Sequence, residues 1–316
     1  MIPALVLTAG LATRLRPLSF VRAKAAMPVA GEPIVRRILR QLRDSGIQEA
    51  VLNLHHLPHT ITRVVGDGSD LDMRIRYSWE QPVLGSAGGP RQALPLLDAG
   101  TFIIVNGDTL TDVNITALLA EHKQSGALVT MAVVPPESGG QYGGVRIESD
   151  GVVTGFTKRG SRELSSHFVG VQAVDARAFA SLPPGVPAES VLELYPALIA
   201  ARRGSVRAFR CRAEFFDIGT PADYLRTSLL LSARENDVTS VGSRPKIDAS
   251  AHIEQSILWD DVEVGAGSVL RQCIVADGVR VPPGASWTGA TVRCADEASP
   301  GETLIDGLAI GLMSPV

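Results

Sequence analysis

A small turn near the start of the chain could bind phosphate. The apolar residues 4–7 predict a strand buried on both faces of a parallel sheet, and Thr8, Ala9 and Gly10 follow it directly. Such a turn exposes backbone N–H groups, which favour phosphate oxygens. The guanidinium of Arg14 could then donate a pair of hydrogen bonds to the same group. By itself, the segment would also suit an ordinary strand-to-helix connection with an arginine on the surface.

A basic stretch and three later segments extend this pattern. The basic stretch is residues 22–33, with Lys24 as its second cation. The later segments are residues 84–89, 105–108 and 216–221. Together with the first turn, and in the same order, they resemble the motifs of the nucleotidylyltransferases that make NDP-sugars from an NTP and a sugar 1-phosphate. The resemblance covers about residues 1–235. It implies an α/β fold, with a Rossmann-like mixed, mostly parallel sheet flanked by helices.

The resemblance implies four catalytic residues, which are Arg14, Lys24, Asp108 and Asp217. Arg14 would hold the pyrophosphate part of the NTP, and Lys24 would hold the α-phosphate or the sugar phosphate. Mg²⁺ would be the cofactor, with Asp108 and Asp217 as ligands, since it prefers one or two carboxylates and otherwise keeps water and phosphate oxygens. Asp108 follows a predicted apolar strand, so it should lie at that strand's carboxyl end, where open α/β sheets bind ligands.

The same resemblance implies two sets of substrate contacts. The nucleotide-binding residues would be Thr8, Ala9, Gly10, Leu11, Ala12, Thr13, Arg14, Gln81, Gly85 and Ser86. Of these, Gln81 and Gly85 would lie at the nucleobase. The sugar-phosphate-binding residues would be Gly143, Thr157, Lys158 and Gly170. Gly143 belongs to the segment Tyr142-Gly143-Gly144-Val145, which is similar to the family's Y-G-x-V segment.

The chain departs from the family pattern at three places. Ala12 stands where the family has its second glycine, so the phosphate turn is less free to adopt a positive φ. Ala23 and Ala25 replace the prolines that flank the family's lysine. Thr157 replaces a glutamate, and the missing carboxylate leaves the sugar and its pose open.

The elements that must position these residues alternate between strands and helices. We predict strands at 4–7, 50–54, 74–77, 101–105 and 127–134, a hairpin at 144–156, and helices at 33–42, 88–97, 115–125, 190–203 and 221–235. This alternation is typical of βαβ units around a mostly parallel sheet. We expect Asp112 to cap the helix at 115. We expect His55, His56 and His59 to lie in a loop and not to bind a metal.

The last part of the chain repeats with a period of 17 residues. Three columns of apolar residues are spaced this way: Ile247, Val264 and Val281; Ile253, Leu270 and Trp287; Leu258, Val275 and Val292. Such a period predicts a solenoid. Residues 264–269 resemble a hexapeptide-repeat unit of a left-handed β-helix. We therefore predict a catalytic domain at 1–235 and a short left-handed β-helix at 246–316, separated by a break within 236–245. About three coils need a covering surface, which would be either the catalytic domain or another subunit. We expect a homo-oligomer, in which the β-helix does no chemistry.

The composition excludes several other classes of protein. Apolar residues make up 45% of the 316 residues and charged residues 20%, which predicts a folded core. A net charge of −3 gives no basic patch for nucleic acid. The three cysteines lack the spacing of a zinc site, and no apolar run approaches the roughly 20 residues of a membrane span. We expect a cytoplasmic protein with no nucleic-acid or membrane partner.

Four functions remain open at the level of sequence. A mannose-1-phosphate guanylyltransferase-like enzyme is favoured, because residues 84–89 and the hexapeptide segment look most like that branch. A uridylyl- or thymidylyltransferase of the same family is an alternative. A regulatory protein that binds nucleotide sugar without turnover is another, although the intact charged set argues against it. Hexapeptide β-helices also occur in acyltransferases, but His252 is the one histidine in this segment.

Overall fold

The computed structural model describes residues 2–135, 143–161, 163–235 and 240–313. Tyr142 and residues 236–239 of the predicted break lie outside these ranges. The chain divides into two compact units. The first unit contains Met1–Gly10 and Val35–Phe216, and the second contains Leu11–Ile34 and Asp217–Val316. The segment Leu11–Ile34 therefore packs with the C-terminal part of the chain, although the predicted catalytic domain places it with residues 1–235.

A seven-stranded sheet forms the centre of the first unit, as far as the structure describes it. Its strands are β1 (Ala4–Leu7), β2 (Glu49–Leu54), β3 (Arg74–Trp79), β4 (Thr101–Asn106), β5 (Val129–Val134), β6 (His167–Asp175) and β7 (Val206–Arg210). The spatial order is β7-β5-β6-β4-β1-β2-β3. Only β6 runs antiparallel to its neighbours, so the sheet is the mixed, mostly parallel Rossmann-like sheet predicted.

The sequence predicted five of these strands and missed β6 and β7. In β6 the apolar run is interrupted by Gly170 and Gln172, which hides the pattern of a buried strand. Gln172 is nevertheless buried, because its side-chain oxygen accepts a hydrogen bond of 2.8 Å from the hydroxyl of Tyr195. This internal partner removes the cost of burying an amide in the sheet.

The α-helices within the described ranges are α1 (Ile34–Asp44), α2 (Pro58–Val65), α3 (Gly85–Leu97), α4 (Ile115–Ser125), α5 (Tyr195–Ala201) and α6 (Pro221–Arg234). The bounds of α4 match the prediction. The helix predicted at 190–203 consists of a π-helical turn, Ser190–Leu194, followed by α5. The predicted hairpin is present as the antiparallel strands Val145–Ile147 and Val153–Phe156.

Two local predictions were wrong. Asn114, and not Asp112, caps α4, because its side-chain oxygen accepts a hydrogen bond of 2.9 Å from the N–H of Ala117. The carboxylate of Asp112 instead accepts from the N–H of Glu214 at 2.7 Å. His59 lies in α2 and not in a loop, because Pro58 occupies the first turn of that helix, where a missing N–H costs nothing.

The second unit combines α6 with a short left-handed β-helix. The three predicted columns are confirmed residue by residue, since each pairs in parallel register with the residue 17 positions later. The last strands are antiparallel, however, and Ala290–Cys294, Leu308–Leu312 and Glu302–Ile305 form a three-stranded end that the repeat did not predict. No helix in the described ranges is long and apolar enough to cross a membrane.

Candidate active site

The predicted phosphate turn begins at the carboxyl end of β1, beside the ends of β2 and β4. The N–H of Thr8 donates to the side-chain oxygen of Asn53 at 2.6 Å, and the Thr8 hydroxyl donates to the Asn53 carbonyl. The N–H of Gly107 donates to the Leu7 carbonyl at 2.9 Å, and a Cβ at Gly107 would lie 2.5 Å from the same oxygen. Asp108 therefore follows a glycine that lets two strand ends approach closely, at the sheet edge expected for a ligand site.

A buried carboxylate that the sequence did not indicate connects this turn to residues 84–89, the segment predicted to lie at the nucleobase and called the base loop below. Glu80 is 4% exposed. One of its oxygens accepts from the side-chain amide of Asn53 at 2.7 Å, and the other accepts from the N–H of Leu84 at 2.8 Å. These contacts form one hydrogen-bond network of Thr8, Asn53, Glu80 and Leu84. No spacing in the sequence indicates this network, because its members come from three separate segments.

The base loop is held from the other side by residues about 100 positions later. Gly85 has φ of +75°, and a Cβ there would lie 2.7 Å from a carboxylate oxygen of Glu189. The Ser86 hydroxyl donates to Glu189 at 2.6 Å and accepts from the N–H of Ser190 at 2.9 Å. Gln81 is exposed next to this loop in sequence. Glu189 and Ser190 therefore support the predicted nucleotide-binding residues Gly85 and Ser86, and the sequence did not indicate either contact.

Most of the predicted sugar-phosphate residues come together in the first unit. A Cβ at Gly143 would lie 2.8 Å from the carbonyl oxygen of Thr157, and Lys158 follows as an exposed side chain. The hydroxyl of Thr157 accepts from the N–H of Gly144 at 2.9 Å, so this threonine supports the hairpin's backbone. Gly170 lies apart from these three residues in sequence and has φ of +78°, and a Cβ there would be 3.0 Å from the side chain of Asn106. Gly170 is therefore close to the strand that leads to Asp108.

The second unit gathers three of the four predicted catalytic side chains. Ala12 adopts a left-handed conformation with φ of +48°, and a 3₁₀ turn, Thr13–Leu15, begins directly after it. Arg14 then lies beside Gly219, where a Cβ would be 3.0 Å from its guanidinium nitrogen. The ammonium of Lys24 is 3.9 Å from a carboxylate oxygen of Asp217, and these two side chains are 13% and 21% exposed. Leu11 and Thr13 are exposed on the same turn.

Helix α6 starts just after these residues, where Thr220 and Asp223 cap its first turn. The Thr220 hydroxyl accepts from the N–H of Asp223 at 3.2 Å, and the Asp223 carboxylate accepts from the N–H of Thr220 at 3.1 Å. This reciprocal pair is a capping box. Arg14 and the start of α6 line a cavity of about 390 Å³ together with residues of the C-terminal strands.

The carboxylates can be considered as metal ligands. Among the residues that the structure describes, no group of three or more His, Cys, Asp or Glu side chains could hold a metal ion. Asp108 belongs to the first unit, where one of its oxygens accepts from the Thr109 hydroxyl at 3.2 Å. Asp217 belongs to the second unit. A Mg²⁺ site needs only one or two protein carboxylates when phosphate oxygens and water complete its shell, so each of these carboxylates has the chemistry of a Mg²⁺ ligand.

Comparisons with known proteins agree with these features. Residues 3–234 match the family model described as nucleotidyl transferase, and residues 231–291 match a model described as GlmU-like C-terminal hexapeptide. The chain is 27% identical to a mannose-1-phosphate guanylyltransferase of Mycobacterium tuberculosis, over 92% of this chain and 79% of that one. It is 26% identical to a UTP–glucose-1-phosphate uridylyltransferase of a Synechocystis species, over 98% of this chain and 87% of that one. The solved structure of HddC from Yersinia pseudotuberculosis has a TM-score of 0.64 at 23% identity, covering 73% of this chain and all of that one.

Proposed function

Because the chain belongs to the nucleotidyl transferase family, we propose that it transfers a nucleotidyl group from an NTP to a sugar 1-phosphate. The products are an NDP-sugar and pyrophosphate. The observation that carries the proposal is the placing of two cations along one short segment of the second unit: Lys24 lies 3.9 Å from Asp217, and Arg14 lies beside Gly219, two residues later. A phosphoryl reaction between two polyanions needs such a group.

The proposed reaction is an in-line displacement at the α-phosphorus of the NTP. An oxygen of the sugar 1-phosphate attacks, the bond between the α-phosphorus and the bridging oxygen breaks, and pyrophosphate leaves. The protein mainly has to position two anions and stabilise the charge that develops. In this proposal Arg14 binds the departing pyrophosphate and Lys24 binds the α-phosphate or the sugar phosphate. In this proposal the N–H groups of residues 9–13 bind the remaining phosphate oxygens, since the N–H of Thr8 is bonded to Asn53.

We propose Asp108 and Asp217 as the ligands of a Mg²⁺ ion. When bound, the ion would neutralise part of the negative charge on the phosphate oxygens. The two carboxylates suit it chemically, since Mg²⁺ takes hard oxygen ligands. Lys24, close to Asp217, would then share the task of offsetting phosphate charge.

Gly143, Thr157, Lys158 and Gly170 are proposed to bind the sugar phosphate. Lys158 is exposed and would be available to an incoming phosphate. Thr157 uses its hydroxyl to hold the hairpin, so the sugar hydroxyls would need another partner. The sugar specificity of this chain is therefore expected to differ from that of relatives with a glutamate at this position.

For the nucleobase we favour guanine, on the likeness of residues 84–89 and on the mannose-1-phosphate guanylyltransferase relative. Uracil is the main alternative, since a uridylyltransferase relative has almost the same identity. Thymine is a further alternative, because thymidylyltransferases belong to the same family. A non-catalytic role is not favoured, because all four charged side chains of the proposed machinery are present.

One screen tests the function and the base together. The full-length protein is incubated with Mg²⁺, each NTP in turn and a panel of sugar 1-phosphates, and pyrophosphate release is measured. We expect turnover with GTP and mannose 1-phosphate to exceed that with other pairs. Turnover only with UTP, or only with dTTP, would show that the base is uracil or thymine and not guanine. No release with any pair would contradict the transferase function.

A further inference from the structure

We propose that Arg22 is a positioning residue for the transfer reaction, through which the β-helix fixes the segment that presents Lys24. We call residues 22–28 the lysine segment. The inference rests on the proposed function, in which Lys24 offsets charge at the reacting phosphate. Arg22 touches no substrate in this proposal and acts through Lys24, which lies two positions along the chain.

Arg22 is buried and bonded to two carboxylates of the β-helix. Its Nε donates to Asp277 at 2.7 Å, and its Nη2 donates to the second oxygen of Asp277 at 2.6 Å. The same Nη2 donates to Asp260 at 2.6 Å. The guanidinium carbon lies 5.2 Å from the ring centre of Trp259, within the range of a cation–π contact. The arginine is 8% exposed, so it is committed to the β-helix and not to solvent.

The two aspartates are fixed by the stacking of the coils. They are 17 residues apart and so occupy the same place in successive coils. The N–H of Asp260 donates to Asp277 at 3.1 Å, and the N–H of Ser243 donates to Asp260 at 2.7 Å. The acceptors for Arg22 are therefore held by the backbone of the solenoid, and they offer the arginine one orientation.

The other end of the lysine segment is tied to the β-helix through α6. The Tyr224 hydroxyl donates to the Pro28 carbonyl and accepts from the indole N–H of Trp259 at 2.9 Å. The Tyr224 and Trp259 rings also meet edge to face, with centres 6.4 Å apart. Trp259 thus lies under Arg22 at one end of the segment and supports Pro28 at the other.

Between these two ends the segment has little freedom. Ala23, Ala25, Ala26 and Met27 are at most 2% exposed, and Lys24 begins a single 3₁₀ turn. Its ammonium is directed to within 3.9 Å of Asp217. A shift of Arg22 would therefore be transmitted along a packed backbone to the position of Lys24.

A buried ion pair by itself adds little to the stability of a fold. The cost of removing charges from water offsets much of their attraction, and apolar side chains of similar size often hold a structure as well. What a bidentate arginine adds is geometry, because its planar fork accepts only a narrow range of carboxylate positions. This property suits a contact that must set the place of a catalytic side chain.

The test compares full-length variants in the pyrophosphate assay with the best NTP and sugar 1-phosphate pair. Arg22→Met keeps the apolar stem and should lower kcat by about 10- to 100-fold with a smaller change in KM, since misplacement by about 1 Å can cost on the order of 10²-fold. Arg22→Lys should recover little, because an ammonium cannot bond to both aspartates in the same geometry. Asp277→Asn should reproduce part of the loss from the side of the β-helix.

A double-mutant cycle separates positioning from simple destabilisation. Lys24→Met alone should lower kcat by on the order of 10²- to 10³-fold. If Arg22 acts through Lys24, then Arg22→Met should cause almost no further loss in the Lys24→Met protein. Asp261→Asn is the matched control, because it removes the neighbouring exposed ion pair with Arg244 and should leave kcat unchanged.

If the losses in kcat of Arg22→Met and Lys24→Met multiply in the double variant, the inference is wrong. A folded Asp277→Asn protein with wild-type kcat would overturn it as well, and this near-isosteric variant decides the question if Arg22→Met does not fold. A wild-type protein that releases no pyrophosphate with any pair would overturn the proposed function itself, and the inference with it, before any variant is compared.

Discussion

At position 12 the backbone adopts a conformation that alanine rarely takes. The sequence suggested that Ala12 would make the phosphate turn less able to reach a positive φ, yet the structure has φ of +48° there. The left-handed region costs a non-glycine residue about 1–2 kcal/mol. This turn therefore adopts its left-handed conformation at an energetic cost that glycine would avoid.

Replacing Ala12 by glycine should stabilise the protein. The relief of strain outweighs the roughly 0.5–1 kcal/mol of extra chain entropy that glycine loses on folding, so we expect a net gain of about 0.5–1 kcal/mol. Ala23→Gly is the control, because φ at Ala23 is −57° and its methyl group is buried, so that variant should be less stable. Urea unfolding of both variants measures the difference. A loss of stability in Ala12→Gly would contradict the strain argument.

The two proposed metal ligands should act as one unit. Asp108→Asn and Asp217→Asn each remove a charge with little change in shape, and each should abolish most turnover if both hold the same Mg²⁺. The double variant should then be little worse than either single one. Steady-state rates at saturating Mg²⁺, together with thermal melting to confirm folding, measure this. Losses that multiply would show that the two carboxylates serve separate roles.

At the scale of elements, the solenoid was the most predictable part of the chain. Each predicted column pairs in the expected register, because every coil repeats the same backbone path. The prediction that every member is interior was wrong for Ile247, which lies in the first coil and is 41% exposed. The C-terminal end of the β-helix was not predictable. The strand Leu308–Leu312 runs antiparallel to Ala290–Cys294, and the 17-residue spacing contains no signal for that reversal.

Truncation of one side chain tests whether its column lies inside the β-helix. Val275 is fully buried between Leu258 and Val292 of the neighbouring coils. Val275→Ala should lower the free energy of unfolding by about 2 kcal/mol, from lost burial and the cavity left behind. Thr288→Ala, at an exposed position of another strand, should change it by less than about 0.5 kcal/mol. Equal effects of the two variants would contradict the assignment of interior and surface.

At the scale of the whole molecule, acid should weaken the second unit. Burial acts to raise the pKa of Asp260, but hydrogen bonds from Ser243 and from Arg22 outweigh it, and the pKa lies below its ordinary value of 3.8. Because the folded-state pKa is the lower one, this carboxylate stabilises the fold above about pH 4, and the contribution disappears as the pH falls through the folded-state pKa.

The melting temperature should therefore fall as the pH drops below about 4, and it should fall less in Asp260→Asn. Asp261→Asn is a useful comparison. The Asp261 carboxyl also has a lowered pKa, from the Arg244 hydrogen bond, but its side chain is 51% exposed and solvent screens the pair. An acid-induced fall of the same size in wild type and Asp260→Asn would show that this carboxylate does not contribute.

The sequence by itself determined the family, the order of the motifs, most of the sheet and the register of the β-helix. These features are local or periodic, since a buried strand or a turn is indicated by adjacent residues and the β-helix by a fixed spacing of 17 residues. Only the tertiary structure decided that Leu11–Ile34 packs with the C-terminal part, or that Glu80, Asn53 and Glu189 support the predicted nucleotide-binding residues. Arg22 and Asp277 are 255 positions apart, and Ser86 and Glu189 are 103 apart. Pairings at such distances leave no pattern along the chain, because the neighbours of each residue in the sequence do not indicate which distant side chain folding will bring to it.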